Sequence, residues 1–230
     1  MTTSPATPQP PAAPRLPRAL TPIDADSALE HAHDEGVEAA SLDQVGLGGA
    51  DLSNSTWEGV ALRDVDLSEA ALDGSRFADA SIERSDLANV GARSASLLRT
   101  RVVGGRAIGI GLSEARIKDT TFEDVAFDLA HLRFARLSRV VFRNCRMHEV
   151  DFANAQFDSV LLDGCDLTGA DFTKTSFTRC ELRGSTLDEV RGLTSLTGVA
   201  MRWADVIALA PVFARALGVT LIAEDDDTHE

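Results

Sequence analysis

The chain contains no run of about eighteen apolar residues, and its first twenty residues are rich in proline and alanine instead of passing from charged to apolar. Neither a spanning helix nor a secretory leader is therefore predicted, and the expected compartment is the cytoplasm. Three cysteines in 230 residues are too few for a disulfide framework, which predicts reduced thiols. Basic residues are scarce, 22 against 36 acidic ones, giving a net charge of −14. A chain of that sign repels nucleic acid, so direct nucleic-acid binding is not expected and basic protein surfaces are the natural partners. His31, His33, His131 and His148 have no cysteine set at metal-ligand spacing beside them. No nucleophile and base stand in a recognisable pattern either. No catalytic residue, metal or cofactor is predicted, and enzymatic activity is not expected.

What the chain does have is a period of five. Every fifth residue from Leu42 to Leu187, thirty positions without a slip, is large and apolar except Ala92 and Ala107. A second series lies two residues earlier in each unit, from Ala40 to Ser185, and is Ala, Val, Ser, Thr, Cys or Gly throughout except Ile110. Five matches neither the 3.6-residue period of a helix nor the two-residue period of a strand. The chain must turn a corner every five residues, with the large residue and the small one before it pointing inward. Four sides close a coil of twenty residues. Coils stacked at the strand spacing of about 4.8 Å then give about 7.5 coils and a rod roughly 36 Å long.

The units Ala50-Asp51-Leu52, Ser85-Asp86-Leu87, Val150-Asp151-Phe152, Cys165-Asp166-Leu167 and Ala170-Asp171-Phe172 resemble the A(D/N)Lxx repeat of the pentapeptide-repeat family. That resemblance covers about two-thirds of the chain and implies an all-β solenoid, a right-handed quadrilateral β-helix. It implies no single function, since solenoid surfaces serve many partners. In the gyrase-binding, quinolone-resistance members of the family a row of carboxylates imitates DNA phosphates, and a C-terminal helical segment joins two rods. The resemblance thus implies DNA gyrase as one conceivable partner, and a homodimer through Trp203, Ile207, Phe213 and Leu217.

Five segments follow. Residues 1–20 form a Pro/Ala-rich leader expected to be disordered, because its prolines have nothing evident to pack against. Residues 21–39 are expected to cap the first coil, with Val37 as an early large position, and residues 40–190 form the β-helix. Residues 191–222 should lid the last coil with a short helix that begins at Trp203, is kinked or restarted at Pro211 and ends at Gly218. Residues 223–230 are a solvated acidic tail. Ala92, Val102, Gly105 and Ala107 mark a thin stretch of core that Ile110 is placed to refill, and the glycine-rich residues 104–111 are a place where the rod can bend. Nothing sets those glycines between a strand and a helix, as a phosphate-binding loop requires. Cys145 and Cys165 fall one coil apart on the inward small series, with Cys180 on the next side, and are expected to be inert.

Twenty-residue phasing assigns charge to sides. One side carries Asp66, Glu69, Asp86, Asp128, Glu149, Asp166, Asp188 and Glu189 against Arg106 and Arg146. The opposite side is net basic and carries Arg99, Arg116, Lys118, Arg136 and Arg139. Asp79, Arg99, Asp119 and Arg139 share one position in successive coils, so opposite charges alternate up that ladder and satisfy each other. Like charges meet where Asp66 stacks on Asp86 and Asp151 on Asp171, unless each aspartate bonds its own turn. Along the rod, residues 41–90 carry −7, residues 91–150 carry +5 and residues 151–190 carry −5. With a Debye length of about 8 Å, that basic belt breaks a continuous DNA-like field. Two readings result: a non-catalytic scaffold that docks a protein through its charged sides, ranked first, and a DNA-mimicking modulator of a topoisomerase.

Overall fold

The turn that a five-residue period demands is made the same way at every corner. In the computed structural model, which describes residues 7–220, the residue two after each large one has a positive φ of 48° to 72°, from Ala39 to Glu189. Left-handed backbone is least costly for Gly, Asn and Asp, and Asn54, Asp64, Asn89, Asp119 and Asn154 are among the corner residues. Most side chains at these corners project to solvent, with Asp79, Asp119 and Ser159 as buried exceptions, while the two inward positions of each unit face the coil axis.

Two of the four sides are regular strand. After β1 (Thr21–Pro22), α1 (Ala25–His33) and β2 (Val37–Glu38) come β3 (Ala40–Asp43), β4 (Thr56–Glu58) and β5 (Ala61–Arg63). The eight-residue strands β6 (Arg76–Glu83), β7 (Ser96–Val103), β8 (Arg116–Glu123), β9 (Arg136–Arg143) and β10 (Gln156–Asp163) each run round one corner. They are followed by β11 (Ser176–Thr178), β12 (Glu181–Arg183), β13 (Ala200–Met201) and α2 (Trp203–Ala216). All pairings are parallel, and one ladder runs through Ala61, Ser81, Arg101, Thr121, Val141, Leu161 and Glu181 in steps of twenty. The other two sides hold single bridges on the same step, as in Gly46, Asp66, Asp86 and Arg106.

The solenoid has about nine turns, more than the 7.5 that the periodic residues alone imply. The difference lies at the ends. Thr21 pairs with Ala40 and Ala200 with Glu181, so segments outside the repeat add a rung at each end. Nine-residue α1 lids the first coil with buried Ala28 and Ala32, its N-terminus held by the Asp24 carboxylate accepting from the Ser27 amide at 2.9 Å. At the other end Leu196 and Leu209 are buried, and Val212 and Phe213 pack against the same core. The helix runs through Pro211 without a break, and Gly218 follows it with φ +74°. The acidic tail lies outside the described residues, as do leader residues 1–6.

Inside, the large series is buried at every position except the half-buried Leu97 and Phe177. Aromatic rings one coil apart stack: Phe122 on Phe142 at 4.9 Å and Phe152 on Phe172 at 5.2 Å between centroids. The small series is chemical as well as steric. Ser75, Thr175, Cys165 and Cys180 each donate to the main-chain carbonyl of a large residue one coil back, at Leu52, Phe152, Phe142 and Phe157. Ser, Thr and Cys are thus interchangeable spacers there. All three thiols are free and buried; the Cys165 thiol and burial push Cys145 up, and burial pushes Cys180 up, away from the reactive thiolate.

The thin stretch leaves a void of about 50 Å³ lined by Leu72, Ala92, Leu97, Ile110 and Leu112, so Ile110 refills the core only in part. Pairing continues through residues 104–111, but Gly105 is an exposed member of the otherwise inward small series and its carbonyl accepts from Ala126 at a long 3.3 Å. At about 24 cal/mol per Å³, filling the void is worth about 1 kcal/mol. Ala92→Val is expected to raise the urea midpoint accordingly; a lowered midpoint would show the void too narrow for a branched side chain.

Residues 7–20, expected to be disordered, lie along one corner of the rod. The Arg15 amide donates to Asp79 Oδ1 at 2.9 Å and the Ala12 amide to Asp119 Oδ1 at 3.2 Å. The prolines do have a surface to pack against, and it is the solenoid itself.

Candidate interaction surfaces

The acidic side is less free than its charge count suggests. Asp66, Asp86 and Asp166 each accept the amide two residues on, from Ser68, Ala88 and Thr168 at 2.9–3.1 Å, which closes the turn and explains aspartate before the large residue. Asp151 and Asp171 do the same with Ala153 and Thr173. Three of the eight acids are also paired: Asp86 with Arg106 at 2.5 Å, Asp128 with Arg146 at 2.5 Å and Asp166 with His148 at 2.7 Å. The Arg106 guanidinium holds the Asp86 carboxyl below the usual carboxylate range. Among the described residues Asp66 and Glu69 near one end, and Glu149, Asp188 and Glu189 towards the other, make no ion pair.

On the basic side the alternating ladder is real. Arg99 forks onto Asp79 at 2.7 and 2.6 Å, and Arg139 onto Asp119 at 2.6 Å through both nitrogens. The sequence places Arg99 and Arg139 among the partner-facing residues, but their guanidiniums are committed to carboxylates one coil back. Arg116 and Arg136 differ. They are register partners one rung apart, both are exposed, and neither has an acidic partner among the described residues. Glu114, the nearby acid, is taken by Arg93 at 2.6 Å. With Ser94, Glu114 and Phe134 the two arginines line a cleft of about 270 Å³. Phe134 is 53% exposed at a left-handed corner, φ 59°, with the Arg133 guanidinium 5.9 Å from its ring. The five-residue period predicts that corner to be outward; nothing in it marks phenylalanine there as more than another large residue. Lys118 is exposed on the adjoining strand position.

Asp79 and Asp119 are buried, and each is held below the usual carboxylate range first by its arginine, then by the leader amide. A folded-state pKa depressed below 3.8 stabilises the fold above that value and is lost as pH falls through the lower one. Stability attributable to this ladder is expected to be constant near neutrality and to fall below about pH 4, as acid titration by circular dichroism will read; an Asp79→Asn, Asp119→Asn chain should lose less between pH 5 and pH 3.

Helix α2 and its C-cap Leu217 divide the four residues expected at the dimer contact. Phe213 packs towards the core, whereas Trp203, Ile207 and Leu217 are 76%, 59% and 78% exposed. Among the described residues no group of three His, Cys, Asp or Glu is placed to hold a metal ion, and no helix is long and apolar enough to cross a membrane.

A parallel-sheet solenoid turning every five residues and repeating every twenty defines the class. The model described as "Pentapeptide repeat region" matches residues 112–191, and that described as "Pentapeptide repeats (8 copies)" matches residues 40–79. Together they cover more than half of the chain, which belongs to the pentapeptide repeat family. The unmatched residues between them include the thin stretch of core. Similar solved structures include trypsin-treated QnrB1, described as a plasmid-mediated fluoroquinolone resistance protein, at 22% identity over 89% of this chain and 100% of that one, TM-score 0.37. HetL, described as involved in heterocyst differentiation regulation in the cyanobacterium Nostoc, shares 17% identity over 78% of this chain and 97% of that one, TM-score 0.34. No curated protein matches the sequence.

Proposed function

We propose that the chain is a non-catalytic interaction scaffold that docks an acidic, partly apolar segment of a protein partner on its basic belt. The supporting observation is the Arg116–Arg136 stack, two like charges one rung apart without carboxylates, beside an exposed phenylalanine. Stacked like charges cost stability unless a ligand neutralises them. An apolar ring beside a cationic pair is the composition of an interface hot spot. A partner captured by the native chain should be lost on Arg116→Glu with Arg136→Glu, at unchanged melting temperature. Retention would remove the belt from the interface. Arg139→Glu should destabilise the rod instead, because it strands Asp119.

DNA mimicry draws on the five acids of the acidic side that make no ion pair, but they stand at separated levels with paired carboxylates between. Unaltered gyrase supercoiling at micromolar protein would dismiss it. A homodimer through α2 fits the outward row of Trp203, Ile207 and Leu217. Light scattering is expected to give twice the 24.5 kDa chain mass at micromolar concentration, falling to one chain with Ile207→Asp.

A further inference from the structure

The leader repeats every three residues. Pro5, Pro8, Pro11, Pro14 and Pro17 are spaced by three, and the residues following the last four, Gln9, Ala12, Arg15 and Arg18, all keep an amide hydrogen. Three residues is one turn of polyproline II, a rise of about 9.3 Å. Two rungs of the solenoid span about 9.6 Å. The leader and the rod are therefore commensurate, three residues to two coils.

The contacts follow that match. Ala12 and Arg15, three apart, donate to Asp119 and Asp79, which sit two rungs apart at one corner. Pro8, Pro11 and Pro14 are half-buried while the residues between them are exposed, so one proline face lies on the rod. Arg99 and Arg139 hold the two accepting carboxylates in place. One rung further on, the same corner position is Gly59, where a Cβ would come within 2.9 Å of the Pro17 ring. At the other end Pro8 to Pro11 line a cleft of about 250 Å³ with Thr121, Val141, Arg143 and Leu161.

The geometry points to this corner as a recognition track for polyproline II strands, filled in cis by the leader and open in trans to a Pro-X-X-repeating segment of a partner protein. The contacts that fix the register are main-chain amides and proline rings, which any such segment carries. The strand needs an amide-bearing residue after each track-facing proline and tolerates proline elsewhere, as at Pro10. The bound form is pre-organised, so little entropy is lost on docking. Tethering at Thr21 gives the leader an effective concentration in the millimolar range. A partner must exceed that, which makes the leader a threshold on access. The track is separate from the Arg116–Arg136 cleft and stands or falls independently of it.

The test uses the full chain with Pro8, Pro11 and Pro14 each changed to Gly, which loosens the leader and leaves the rod intact. A fluorescent peptide of residues 7–18 is titrated against it and read by anisotropy. Saturable binding is expected, at least tenfold tighter than to the native chain. It should weaken at least tenfold when Asp79→Ala and Asp119→Ala are added, and with a peptide of the same composition whose prolines are out of spacing. No binding to the loosened chain, or binding indifferent to both the aspartates and the spacing, would overturn the assignment. A dimer of the native chain that the three glycines abolish would give the track to a second copy and overturn the partner's part in it.

Discussion

Phe152→Ala is expected to destabilise the rod by about 3–5 kcal/mol. Phe152 is fully buried, stacked on Phe172 at 5.2 Å and edge-on to Phe157 at 5.3 Å, so its removal empties a site that three aromatic residues share. A column packed at fixed rung spacing cannot collapse inward without breaking the ladder on both sides. The same truncation at Phe134, which is exposed at a corner, should change stability by less than about 0.5 kcal/mol. Urea unfolding of the two variants measures the contrast. Equal losses would mean that the corner phenylalanine is part of the core.

Gly105→Ala should cost on the order of 3 kcal/mol, combining left-handed strain with a collision. Its φ is +81°, and a Cβ there would lie 2.2 Å from the Ser85 carbonyl oxygen, an atom of the neighbouring coil that is itself bonded to the Arg106 amide. Gly49→Ala separates the two contributions. That glycine is also left-handed, φ +68°, but nothing stands within 4 Å of the added methyl, so only about 1–2 kcal/mol is expected. If both variants melt together, the close approach of coils at Gly105 does not contribute.

The solenoid was legible because one pattern sets it: Leu67, Phe127 and Phe172 occupy the predicted interior, and Asp79 meets Arg99 where twenty-residue phasing puts them. The aspartate before the large residue was legible as a turn acceptor, since Asx turns need only local chemistry. Helix α1 was not, being nine residues with two buried alanines and no apolar stripe strong enough to stand out. The docking of the leader was not legible for a different reason. Its three-residue period is in the sequence, but its meaning depends on the distance between Asp79 and Asp119, which exists only once the coils are stacked. Likewise, charge counting placed Arg99 and Arg139 on a basic side without showing that their charge is already spent, and so hid the difference between them and Arg116 and Arg136.

Thiol labelling across one pentapeptide tests the architecture most directly. In single-cysteine replacements of Ala130, His131, Leu132, Arg133 and Phe134, the three native thiols stay silent because they are buried. A square coil predicts protection at 130 and 132 and rapid labelling at 131, 133 and 134. A straight strand would also bury 134, and a helix would bury 134 but expose 132. A protected cysteine at 134, or a reactive one at 132, would contradict the coil.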